Sequence, residues 1–217
     1  MFPDQEGDYE HTFYFLTNKP GPSHSYQVRL ADFDALLLDH AAKQGAEVRQ
    51  RVSVESFALD ASGVSVTARH EGGIRTARAK FLIDATGRDG LVAAKLGRRE
   101  RIPNLGKVAL FAHFRGAARA AGREEGLIGI YVFDDGWFWW IPLAGDLTSL
   151  GCVMHARTVR EWPGSLDELY AEMIRRCPAV EPRPAGACRE TEIHPAANFP
   201  YVSGPVVRDR FLVVGGA

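Results

Sequence analysis

Three of the chain's four tryptophans fall within four residues, in Asp134-Asp135-Gly136-Trp137-Phe138-Trp139-Trp140-Ile141-Pro142-Leu143, and no other run constrains the fold as strongly. Successive strand residues point to opposite faces, so a strand here places Trp137 and Trp139 on one side and Phe138 and Trp140 on the other. So much ring surface on both sides predicts burial of both faces. Pro142 has no N–H to give a ladder and marks a strand end or edge. The residues alone fit either an aromatic core strand or one wall of a ligand cavity.

The 217 residues can build a sizeable core, in one large domain or parts of two. Residues 11–16 and 25–30 read as short strands around the turn-rich Asn18-Lys19-Pro20-Gly21-Pro22-Ser23. Asp32 is a candidate N-cap for a helix whose Phe33, Leu36, Leu37, His40, Ala41 and Gln44 recur at helical spacing before Gly45; that stripe predicts a helix laid on a sheet, with a strand from Ala46 to Val48 next. Stretches 52–57, 64–68 and 74–79 alternate, with Gly63 and Gly72-Gly73 at the bends, and predict an antiparallel meander.

Phe81-Leu82-Ile83 and Phe211-Leu212-Val213-Val214 are apolar on both faces and break into Asp84-Ala85-Thr86-Gly87-Arg88 and Gly215-Gly216-Ala217. Strands buried on both sides belong to parallel sheets, whose ligands bind beyond the carboxyl ends. A short helix over Leu91 to Leu96, stopped by Gly97, follows the first, and Arg98-Arg99-Glu100-Arg101 reads as a solvated loop. Stretches 108–115, 127–133, 137–143 and 147–155 are strand-like in a row and predict a second, antiparallel layer. Ser165-Leu166-Asp167-Glu168 is a capping box heading a helix that runs to Pro178, and 188–194 and 197–202 read as strands. The fold class expected is α/β (α+β).

A net charge of -1 gives no reason to expect nucleic acid or an anionic membrane as partner, and no run approaches the ~18 apolar residues of a membrane span. The acidic N-terminus is unlike a secretory signal, so a cytoplasmic protein is expected. Cys152, Cys177 and Cys188 form no C-x-x-C pair, and His113, His155 and His194 lack metal-ligand spacing, so no metal is expected. Glu190 and Glu192 read as a solvated strand face, and neither a nucleophile elbow nor a Walker loop occurs.

Trp137-x-Trp139-x-Ile141-Pro142 resembles the W-x-W-x-I-P signature of flavin-dependent halogenases, and Gly-Trp-Phe-Trp-x-Ile-Pro-Leu followed by Thr148-Ser149-Leu150-Gly151 looks like the branch acting on carrier-bound and phenol-type substrates. Asp84-Ala85-Thr86-Gly87 resembles the segment that lies against FAD in the para-hydroxybenzoate hydroxylase-like superfamily, which includes these enzymes. Tyr26-Gln27-Val28-Arg29-Leu30-Ala31-Asp32-Phe33-Asp34 is similar to the superfamily's Tyr-x-Val-x-Arg-x-x-Phe-Asp, with the arginine position falling on Leu30 and Arg29 adjacent. Val48 corresponds to the segment touching adenine, and Gly215 to the Leu-Val-Gly-Asp-Ala motif, whose aspartate position is Gly216.

The resemblance implies FAD as cofactor, contacted by Arg29, Val48, Asp84, Ala85, Gly87 and Gly215, and an electron-rich aromatic substrate, free or tethered to a carrier protein, lined by Trp137, Trp139, Trp140 and Pro142. It implies a partial Rossmann-like FAD-binding layer at 25–97 and 205–217 packed with an antiparallel substrate sheet at 104–203. The implied chemistry runs through a flavin C4a-hydroperoxide and hypohalous acid, with a flavin reductase as partner. An FAD-dependent hydroxylase or monooxygenase, or a geranylgeranyl-reductase-like enzyme, shares the scaffold. The sequence holds no G-x-G-x-x-G. The family's catalytic lysine is therefore expected upstream, Lys19 reads as a surface-turn residue, and the chain is read as an internal fragment, inactive alone and conceivable as a non-catalytic binding remnant.

Overall fold

The computed structural model describes residue 12 and residues 24–96, 99–102, 106–197 and 201–215. The expected strand at 11–16, apart from residue 12, and Lys19, Gly97 and Gly216 lie outside the described residues. The chain forms two compact units: Met1–Asp34 with Leu105–Asn198, and Ala35–Asn104 with Phe199–Ala217.

Helix α1 (Leu30–Lys43) begins two residues before the expected cap, so Asp32 sits in its first turn, 3.5 Å from Arg29. The strand expected at 25–30 is irregular backbone up to the start of α1 at Leu30, and the one expected at 46–48 is irregular throughout. Among the described residues the apolar stripe of α1 does not land on a sheet: the helix buries no residue, and Leu36 is 63% exposed. Periodicity identifies which face needs cover; it does not supply the cover.

Strands β1 (Ser53–Asp60), β2 (Gly63–His70) and β3 (Gly73–Ala79) form the expected meander, antiparallel and in that order. Its first turn is closed by the Asp60 carboxylate, which accepts from the backbone of Ser62 and Gly63 and from Arg78 of β3. Strand β4 (Leu82–Asp84) and helix α2 (Leu91–Leu96) follow. The segment read as a solvated loop is instead strand β5 (Arg99–Arg101).

The larger sheet contains β6 (Lys107–Arg115), β7 (Gly129–Phe133), β8 (Gly136–Leu143) and β9 (Leu147–His155), all antiparallel to their neighbours, in the order β6-β9-β8-β7. Helices α3 (Ala156–Glu161) and α4 (Leu166–Arg175) come next. Strands β10 (Cys188–Arg189) and β11 (His194–Ala197) both pair with β6 at the sheet's edge. Phe138 and Trp140 of β8 and Leu150, Cys152 and Met154 of β9 form a core with Leu169, Tyr170 and Met173 of α4. Tyr170 donates its hydroxyl proton to the Leu150 carbonyl at 2.8 Å, so the helix is pinned to the sheet as well as packed on it.

Strands β12 (Tyr201–Ser203), β13 (Val207–Arg208) and β14 (Phe211–Val213) complete the other unit. β12 pairs with β5, which is why 99–101 is a strand. β14 lies parallel to β4, matching Phe211 to Leu82 and Val213 to Asp84. The two apolar, glycine-ended runs are thus sheet neighbours, packed with Phe57, Val64 and Val92. Burial on both faces does not hold: Phe211 is buried, whereas Ile83 is 61% exposed. The described sheet is only three strands wide, and its second face has no covering layer among the described residues.

Candidate functional site

Strand alternation divides the four tryptophan-run residues between two faces. Phe138 and Trp140 are sealed in the core; Trp137 is 37% exposed and Trp139 is half-buried. The expectation that both faces are buried is therefore corrected, because α4 covers only one side of β8. Trp140 and Pro142 turn away from Trp137 and Trp139, and border a separate cavity of about 300 Å³ with Tyr131, Arg119 and Arg183. The four expected substrate-lining residues thus do not converge on one site.

On the open face the ladder register assembles a wall that crosses four strands. Trp139 lies opposite Gly151, Gly151 opposite Phe111, and Phe111 opposite His194. Ring centroids are 6.0 Å apart for Trp137 and Trp139, 5.8 Å for Phe111 and Trp139, and 5.4 Å for Phe111 and His194, all tilted. Aromatic side chains at these spacings present ring edges and faces suited to a flat, apolar guest. His113, next along β6, has its imidazole pKa lowered by burial first and then by the charges of Arg29 and His194, which favours the neutral ring. Phe111 carries no recognisable signal in the sequence, and the two histidines read as unrelated because only the register brings their strands together.

Of the residues the resemblance assigns to FAD, Arg29 belongs to the unit of this sheet, where it acts on His113; Val48, Asp84, Ala85, Gly87 and Gly215 belong to the other. Val48 is half-buried in irregular backbone. Asp84 ends β4 and is 2% exposed. One carboxylate oxygen accepts from the Thr86 N–H at 3.0 Å and the Thr86 hydroxyl at 2.6 Å, and the other from the Val92 N–H at 2.7 Å. Burial opposes its charge, and the three donors overcome this and hold the carboxyl below the usual range. Asp84 is thus occupied in fixing the turn and the start of α2. Gly87 and Gly215 both have left-handed φ, +59° and +66°, with open space where a Cβ would sit. They stand just past the carboxyl ends of the parallel pair, where backbone can approach a ligand closely.

No group of three or more metal-ligating side chains occurs among the described residues, and no helix there is long and apolar enough to cross a membrane. Comparison with known proteins finds halogenases among the relatives. Tryptophan 2-halogenase of Chondromyces crocatus is 29% identical over 88% of this chain and 38% of its own length. The Pseudomonas fluorescens chlorinase of 1H-pyrrole-2-carbonyl on a peptidyl-carrier protein is 25% identical over 89% of this chain and 44% of its own. The solved myxobacterial chondrochloren halogenase, an FAD-dependent enzyme, superposes with a TM-score of 0.87 at 30% identity, covering 94% of this chain and 48% of that one. The chain spans less than half the length of each. The tryptophan halogenase family profile matches residues 14–186, which takes in the whole open aromatic face of the sheet except β11, and the chain belongs to that family.

Proposed function

We propose that the protein carrying this chain is an FAD-dependent halogenase of electron-rich aromatic compounds, free or carrier-tethered, to which the unit holding Leu105–Asn198 gives the substrate sheet and the unit of Ala35–Asn104 with Phe199–Ala217 part of a Rossmann-like FAD layer. The observation that carries the reading is a sheet sealed on one face by α4 and open on the other as a wall of Trp137, Trp139 and Phe111. Such a wall binds a flat ring by contact and excludes water from it, with the neutral imidazole of His113 as a polar group along the same strand.

The residues present fit a flavin through backbone alone, at Ala85–Gly87 and Gly215, and not through the Asp84 carboxylate. Once bound, FAD supplies the redox chemistry, and the protein supplies binding and orientation. A separate flavin reductase is the expected source of reduced flavin, and the cytoplasm the expected compartment. The test is product analysis of the protein with reduced FAD, oxygen and a phenol, with and without halide. Chlorinated product that appears only with chloride is expected; hydroxylated product formed regardless of halide overturns the reading in favour of a monooxygenase.

A further inference from the structure

Trp139 is held by two residues of the neighbouring strand. Its indole N–H donates to the Ser149 hydroxyl oxygen at 3.1 Å. Its six-membered ring lies across Gly151 so closely that a Cβ there would overlap Cζ2, Cε2 and Cη2 of the ring. Ser149 and Gly151 are two apart on β9, so both face the aromatic side, and both are buried beneath the wall.

The ladder needs neither side chain. Its hydrogen bonds are backbone ones, and a serine hydroxyl and a missing Cβ add nothing to β9 as a strand. Their effect falls on the indole. Space over Gly151 lets the ring lie flat against the sheet, and the hydroxyl fixes which edge of the ring points along it. Phe111 and Trp137 then meet a ring in one orientation.

We propose that Ser149 and Gly151 are positioning residues that fix the indole of Trp139 and so pre-organise the aromatic wall; the consequence for substrate rests on the function proposed above. A loose tryptophan has to be ordered when a guest binds, and ordering one side chain weakens affinity by about threefold to tenfold.

The test compares Ser149→Ala, Ser149→Thr and Gly151→Ala in the full chain, with Trp137→Phe to identify the part of the far-ultraviolet circular dichroism that comes from coupling of the Trp137 and Trp139 indoles. Ser149→Ala is expected to lose at least half of that couplet with no more than the modest fall in denaturation midpoint that follows loss of one hydrogen bond, Ser149→Thr to restore it, and Gly151→Ala to abolish it. A wild-type couplet in Ser149→Ala overturns the proposal, and this variant serves even where Gly151→Ala fails to fold. Phenol serves as the binding probe, its dissociation constant expected to rise about threefold to tenfold in Ser149→Ala and to recover in Ser149→Thr. A couplet that falls while phenol affinity stays constant upholds the positioning of the ring and overturns the aromatic-substrate reading instead.

Discussion

At the scale of single residues, Asp84 shows how a motif that looks like a ligand contact acts first on its own backbone. Its carboxylate accepts three hydrogen bonds, so an asparagine puts an N–H₂ donor where either Val92 N–H or the Thr86 pair needs an acceptor. Asp84→Asn is expected to destabilise the unit containing β4 by about 1–3 kcal/mol at neutral pH. Because the folded-state carboxyl titrates below its ordinary value of about 3.9, the stabilisation is present above that value and is lost as pH falls through the lower folded one. Denaturant midpoints of wild type and variant measured from pH 7 downward should therefore converge in strongly acid solution, and a gap independent of pH would refute the charge argument. The strand-end position of Asp84 and its local turn were legible in the sequence, since Phe81-Leu82-Ile83 breaks there and Thr86 lies two residues on; the Val92 donor was not, since it lies eight residues on. The separation of Trp137 and Trp139 from Trp140 was likewise legible from alternation alone. Which side stays open depends on where α4 packs, which the run itself does not encode.

At the scale of elements, local chemistry was legible wherever the chain's own neighbours settle the conformation. In α4 the Ser165 hydroxyl accepts from the Glu168 N–H at 3.2 Å, and the Glu168 carboxylate accepts from the Ser165 N–H at 2.7 Å, the reciprocal pair the sequence announces. Ser165→Ala is expected to cost about 1 kcal/mol, read as a lowered denaturation midpoint with the sheet's tryptophan emission unchanged. A loss several times larger would mean that Ser165 also carries tertiary contacts. Elements whose existence depends on distant partners were not legible. β5 is a strand because Tyr201–Ser203 pairs with it about 100 residues later, and Arg99-Glu100-Arg101 has no apolar pattern to announce this. α3 was missed for a related reason, as its six residues are too few for a period to show, although Arg157 and Glu161 pair at i,i+4 along it. The stripe on α1 is a true helical pattern, but among the described residues it is not a packed face.

At the scale of the molecule, two separate cores differ in how completely they are closed. The unit built on β6–β9 buries Phe138 and Trp140 under α4, whereas in the other Phe81 and Ile83 are each more than half exposed beside a three-stranded sheet. Apolar surface left open in this way binds hydrophobic dyes and promotes association. The same unit holds the glycine-ended pair β4 and β14, and its fit to a flavin is through backbone only. A dinucleotide is held most strongly by a glycine-rich loop at a helix start, whose N–H groups face the pyrophosphate, and G-x-G-x-x-G does not occur in these 217 residues. The purified chain is therefore expected to carry flavin well below one per molecule by visible absorbance, to enhance the fluorescence of an anilinonaphthalene dye, and to produce no halogenated phenol. Stoichiometric flavin would show that two glycine-ended parallel strands suffice to hold the cofactor, and would move the weight of binding from phosphate contacts to the backbone beside Gly87 and Gly215.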